Sequence, residues 1–74
     1  MTPAQLQELE DRVMAHRYLY YVLVEPTLPD PVYDVLEREA RSLLPDTSPV
    51  QKVGSNLRES YSERQIALAE SLRP

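Results

Sequence analysis

No cysteine occurs among the 74 residues, which excludes disulfides and thiolate metal sites. A single histidine without cysteine also leaves no ligand set for structural zinc. No run of about 18 apolar residues exists, so no segment reads as a membrane span. No signal or transit peptide is recognisable, and the expected location is cytoplasmic. Lysine is almost missing. Lys52 stands alone beside seven arginines, and 12 acidic residues bring the formal net charge to -4. A phosphate-neutralising surface needs clustered cations, so this chain is not expected to be a main DNA-binding surface. Phe and Trp are absent, and all five aromatic residues are tyrosines. One glycine against seven prolines suits short helices separated by stiff connectors.

The length allows one small domain, which removes only roughly 60% of its unfolded surface from water. Its stability is expected to be marginal, so a partner domain would matter. The pattern predicts an all-α fold. Thr2-Pro3-Ala4-Gln5 is a helix start, with a capping box between Thr2 and Gln5 and proline at the first helical position. Leu6, Leu9, Val13, His16, Tyr20 and Leu23 follow at steps of three and four, which marks one helix face. Glu8, Asp11, Arg12 and Arg17 fall on the opposite, solvated face. The first helix is expected over about 3–24, roughly 30 Å long.

Pro26 and Pro29 stop that helix, because proline lacks the amide donor and clashes with the preceding turn. Asp30-Pro31 restarts the chain, with Asp30 as the N-cap. Val32, Val35, Leu36, Ala40 and Leu43 predict a second helix over about 31–44. The two helices should pack as a hairpin. Pro45 to Asn56 is rich in turn formers. Ser62-x-x-Gln65 is a second capping box, opening a short helix over about 63–72. Its narrow stripe, Ile66, Ala69 and Leu72, predicts that this helix leans on a neighbour or frays. The chain therefore divides into a hairpin module at 1–44, a linker at 45–62 and a C-terminal helical segment at 63–74.

The unusual feature is Tyr18-Leu19-Tyr20-Tyr21 followed by Asp30-Pro31-Val32-Tyr33-Asp34. Four of the five tyrosines and two of the four aspartates lie within 17 residues. The hairpin would set the end of the first helix beside the start of the second. Asp30, Tyr33 and Asp34 share one face of a helical turn. Tyrosine faces attract a flat cationic ring, and aspartates accept hydrogen bonds from ribose hydroxyls or an amide. Oxidised nicotinamide on its ribose fits that chemistry. A bare phosphate does not, for want of a glycine-rich loop or a local lysine. The same residues also have a structural reading. Tyrosines near a helix end commonly pack as core with their hydroxyls at the surface. Asp30 is then a cap and Asp34 a first-turn acid favoured by the helix dipole.

The motifs bear on that choice. His16-Arg17-Tyr18-Leu19-Tyr20-Tyr21, then Pro26, then Asp30-Pro31-Val32-Tyr33-Asp34, resembles the N-terminal Ia domain of bacterial NAD-dependent DNA ligases, where the pattern is H-x-Y-x-Y-Y/H, a proline and D-x-x-Y-D. Asp46-Thr47-Ser48-Pro49-Val50-Gln51-Lys52-Val53-Gly54 resembles that family's D-S-P-T-Q-x-V-G linker. The resemblance covers about residues 4–61. It implies that Tyr20, Tyr21, Asp30, Tyr33 and Asp34 contact the NMN half of NAD. It also implies an adenylation domain as partner, with nicked DNA met only through the parent enzyme. His16, Pro26 and Gly54 match family positions and read mainly as structural.

The departures limit the activity expected of this chain. The K-x-D-G nucleophile motif is missing, and Lys52 is followed by Val53-Gly54. The segment between the second helix and Ser48-Pro49 is shorter than in the family. The H-x-x-P-M-L-S-L stretch after Tyr61 is not recognisable. Ligation by this chain alone is not expected; its part would be positioning NMN for self-adenylation. The alternatives are a free-standing helical module that binds or regulates a partner, and an unrelated bundle with a tyrosine-rich core.

Overall fold

The computed structural model describes residues 1–73; Pro74, which falls in the predicted C-terminal segment, lies outside the described residues. The fold is all-α, as the patterning predicts, and no strand occurs among the described residues. Helix α1 spans Pro3–Arg17 and continues without a break into a π-helical turn, Tyr18–Val22. Helix α2 spans Asp30–Leu43 and helix α3 spans Glu63–Leu72. Two 3₁₀ turns, Pro49–Gln51 and Arg58–Ser60, shape the segment between α2 and α3.

Local chemistry sets these boundaries. Both predicted capping boxes form: Thr2 and Gln5 exchange hydrogen bonds at the start of α1, and Ser62 and Gln65 do so at α3. At the other end of the first helix the Leu23 amide donates to the Tyr18 carbonyl at 3.1 Å, five residues back. The Glu25 amide then reaches the Leu19 carbonyl at 2.8 Å. This bond spans six residues and closes over Val24, which lies in the left-handed region with φ 54°. Glycine usually occupies that position of a helix stop. The first helical stretch therefore ends at Val22, two residues before the expected boundary. Helix α2 begins at Asp30 rather than Pro31. Pro29 occupies its cap position, so Asp30 lies in the first turn and is not the N-cap. Its final carbonyls are met by the linker, where the Gln51 side-chain amide donates to Arg41 O at 2.8 Å and Leu44 O at 3.0 Å.

Helix α1 is the centre of the molecule. Helices α2 and α3 and the Pro49–Gln51 turn all pack on it. The core comprises Leu9, Val13, Met14, Ala15, Tyr18 and Leu19 from the first helical stretch, Ala40 and Leu44 from the α2 end, Val50, Tyr61, and Ile66 and Ala69 from α3. Burying a side chain such as Val50 fully is worth about 1.5–3 kcal/mol. As predicted from its thin apolar stripe, α3 leans on a neighbour, and that neighbour is α1.

Two expectations about the first helical stretch fail, each for its own reason. Asp11 and Arg17 were assigned to a solvated face, yet they are 8% and 1% exposed. Tyr20 was assigned to the core face, yet it is 41% exposed. A one-sided helix has one buried stripe, but a helix surrounded by three packing partners buries more than that stripe. The π turn then shifts the register, so that Tyr18 and Leu19 face inward while Tyr20 and Tyr21 face outward.

Candidate functional site: an aromatic face braced by the linker

The π turn and the first turns of α2 bring three of the five predicted site residues into direct contact. The Tyr20 and Tyr33 rings stack, with centroids 5.9 Å apart and planes 12° from parallel. Tyr21 meets Tyr20 edge-on at 5.0 Å and 69°. Both geometries suit the quadrupole of aromatic rings. Tyr20 and Tyr21 are exposed, whereas Tyr33 is half-buried beneath them. The remaining tyrosines serve the core: Tyr18 and Tyr61 pack edge to face, centroids 5.3 Å apart.

Asp30 and Asp34 are exposed, one turn apart on α2, at positions i−3 and i+1 to Tyr33. Asp34 also edges a shallow surface cleft with Glu37, Arg38 and Arg41. The aspartates thus stand on the same helical turn as Tyr33, and the direct ring contacts belong to the tyrosines alone. A deeper cleft, about 290 Å³, lies between Met14, Arg17, Pro49, Lys52 and Tyr61 and contains none of the five predicted residues. Its Arg17 is already saturated by protein partners, as described next, so the aromatic face remains the better candidate.

Beneath that face lies a buried polar joint centred on Arg17. Its Nε donates to Glu37 Oε1 at 2.9 Å, and Nη2 forms a second, shorter bond to the same oxygen. Nη1 donates to the carbonyls of Pro49 and Lys52 at 3.2 and 3.0 Å, and Nη2 to that of Val50 at 2.8 Å. All five donors of the guanidinium are used. Arg17 therefore ties α1 to α2 and to the linker at once. Near it, the Tyr33 hydroxyl is buried with no hydrogen-bond partner among the described residues. Burial first, then the Glu37 carboxylate, pushes its pKa up to about 12, against the opposing pull of Arg17. Tyr33 is accordingly a neutral ring at physiological pH.

The linker also reaches Tyr21. A Cβ on Gly54 would lie 2.2 Å from Cε2 of the Tyr21 ring, so any side chain there must displace the ring or the linker. Ser48 caps the Pro49–Gln51 turn and donates to Glu10 Oε1 at 2.7 Å. Ser48, Val50, Gln51 and Gly54 of the linker motif thus each have a packing or bonding role against α1, α2 or the tyrosines. Sequence reasoning missed Arg17 and Glu37. The available signal was the irregular, proline-bounded segment around Pro49, whose carbonyls need donors from outside it.

His16 is half-buried next to this region. Burial, then the charge of Arg12, lowers its pKa below the ordinary 6.5. It is mainly the neutral imidazole at neutral pH, in keeping with a packing role. Among the described residues no group of three His, Asp or Glu is placed to hold a metal ion. No described helix is long and apolar enough to cross a membrane.

The fold and the face define a small three-helix domain with an aromatic, acid-flanked surface. Its first 54 residues match the family described as the DNA ligase-like, N-terminal NAD+-binding domain. The chain belongs to that family. It is 38% identical over 66 residues to a DNA ligase of Ectopseudomonas mendocina (strain ymp), covering 80% of this chain and 8% of that protein. It is 42% identical over 64 residues to a DNA ligase of Coxiella burnetii (strain CbuK_Q154), covering 72% and 10%. A DNA ligase of Roseiflexus sp. (strain RS-1) is 38% identical over 69 residues, covering 82% and 9%. The chain thus spans about a tenth of the length of these relatives. No solved structure matches it. The family found is the one the two motif blocks resemble.

Proposed function

We propose that this chain recognises the NMN half of NAD+ through Tyr20, Tyr21, Asp30, Tyr33 and Asp34, and holds it for self-adenylation of an NAD-dependent DNA ligase. The observation that carries the reading is the Tyr20–Tyr33 stack, in which Tyr20 is 41% exposed. A flat cationic nicotinamide ring extends such a stack with favourable cation–π attraction. Tyr20 is the platform and Tyr33 its support. Asp30 and Asp34, exposed on the same turn of α2, are the acceptors for ribose hydroxyls or the carboxamide. The family's description as NAD+-binding supports the cofactor.

In this reading residues 1–44 form the binding module, 45–62 the linker that braces it and 63–74 the C-terminal segment, whose helix α3 packs on α1. NMN is the leaving group when an adenylation domain's lysine takes up AMP. The residues here bind and orient that group and shield it from water. The partner is therefore the adenylation domain of the ligase, and nicked DNA is met through the whole enzyme in the cytoplasm. The face is open and offers about half of a dinucleotide site, so NMN binding by this chain alone is weak.

The test is reconstitution. Mixing the chain with an NAD-dependent adenylation domain should restore lysine adenylation by NAD+. Asp30→Ala should cripple that step and spare sealing of DNA that is already adenylated. Equal loss in both assays would remove the assigned role.

A further inference from the structure

We propose that Gly54 and Arg17 are positioning residues of the nicotinamide-facing surface: Gly54 seats the Tyr21 ring, and Arg17 holds the linker so that the seat cannot give way. The inference rests on the functional reading above and concerns how the face is kept in shape before any ligand arrives.

Gly54 lies so close to Tyr21 that a methyl group would fall 2.2, 2.7 and 2.8 Å from three of its ring carbons. Carbon pairs reach their energy minimum near 3.5–4.0 Å, so a side chain here forces a displacement. Either the linker backbone or the ring must move. The backbone just before Gly54 is fastened by Arg17, which binds the carbonyls of Pro49, Val50 and Lys52. Val50 is fully buried, and Ser48 is bonded to Glu10. Tyr21 is 39% exposed, and its ring turns about two side-chain bonds. The ring is the softer partner and yields. Tyr21 touches Tyr20 edge-on, and Tyr20 stacks on Tyr33. A displaced Tyr21 therefore alters the flank of the platform on which nicotinamide would lie.

Arg17 also enters from the other side. It binds Glu37, one turn beyond Tyr33 on α2. One buried guanidinium thus fixes both the helix that carries Tyr33 and the linker that seats Tyr21. Neither Gly54 nor Arg17 needs to touch the ligand, which is why neither position stands out as a binding residue.

The experiment is a double-mutant cycle on NMN affinity, read from amide shifts of the 74-residue chain, with Gly54→Ala, Tyr21→Ala and the pair together. Gly54→Ala is expected to weaken NMN binding by about tenfold, the scale of one lost aromatic contact. In the Tyr21→Ala background the same change should cost nothing further, because the clash partner is gone. Equal weakening in both backgrounds, or none in either, overturns the proposal. Should Gly54→Ala fail to fold, the folding of the Tyr21→Ala/Gly54→Ala chain is compared with that of Tyr21→Ala. Recovery of folding in the pair supports the ring as the sole clash partner; a pair that still fails to fold overturns it. Arg17→Lys keeps the charge but loses the fork, and should move the Gly54 and Tyr21 signals together; movement of one without the other also overturns it. A wild-type chain indifferent to NMN would instead remove the functional reading. The ring-current shift of the Gly54 α-protons, lost in Tyr21→Ala, then still reports whether the seat exists.

Discussion

The two polar regions of this small domain are built on opposite terms. Asp11 and Arg17 are buried and hydrogen-bonded, and only the Tyr33 hydroxyl near Arg17 goes without a partner among the described residues. Asp11 accepts bonds from Gln7, Arg64 and Gln65, and Arg17 spends all its donors on Glu37 and the linker. Around Tyr20, Tyr21, Asp30 and Asp34 the rings and carboxylates are exposed to solvent. Buried polar groups are hydrogen-bonded because leaving them unmade is costly. Exposed aromatic rings beside free acceptors gain little for folding. The contrast separates residues that hold the chain together from residues available to a ligand.

Breaking the buried side should have the largest effect. Arg17→Ala leaves the Val50 and Lys52 carbonyls without their donor and Glu37 with only the Arg41 guanidinium at 3.7 Å, and should cost about 3–5 kcal/mol, a large part of what a domain of this kind has. Urea unfolding measures it; a loss below about 1 kcal/mol would put the joint among pairs of surface strength. Asp11→Ala comes next. It removes the acceptor that ties α1 to the start of α3, at a cost of about 1–3 kcal/mol. Hydrogen exchange should show Glu63–Leu72 losing protection before α2 does.

Val24→Gly acts in the opposite direction. A branched residue in the left-handed region is strained, and glycine there should stabilise the chain by about 1 kcal/mol. An unchanged thermal midpoint would show that the helix stop carries no strain. The smallest effect is on pH. His16 has a lowered pKa in the fold, so the unfolded chain binds protons more readily and stability falls as the pH drops below 6.5. For Asp11 burial alone would raise the pKa, but hydrogen bonds from Arg64, Gln65 and Gln7 hold it below 3.8. Its contribution is present above that value and is lost as the pH falls through the folded pKa. His16→Gln should abolish the first decline and leave the second.

The same contrast explains what could be read from the sequence. The capping boxes at Thr2 and Ser62 are local, and both were legible along with the start of α1 and the limits of α3. The tyrosine and aspartate cluster was legible because its members lie close in the chain, on either side of a short proline connector. Arg17 was not. Its partners are 20 to 35 residues away, and the α-helical period assigns it to solvent. The π turn was hidden too, since one added residue per turn leaves no compositional mark. The same turn explains why Tyr20 faces outward when its spacing from Leu6, Leu9 and Val13 says inward. Gly54 could be seen as a turn former, but the ring it makes room for could not.

The central claim is that the exposed tyrosine face serves a ligand and not the core. Titrating isotope-labelled chain with NMN tests it most directly, comparing wild type with Tyr20→Ala. Amide shifts confined to about residues 18–36 and to Gly54 are expected in the wild type. Their loss is expected in Tyr20→Ala, with the unfolding midpoint little changed. Wild-type amides that stay still at millimolar NMN, or a Tyr20→Ala chain that responds as the wild type does, would contradict it.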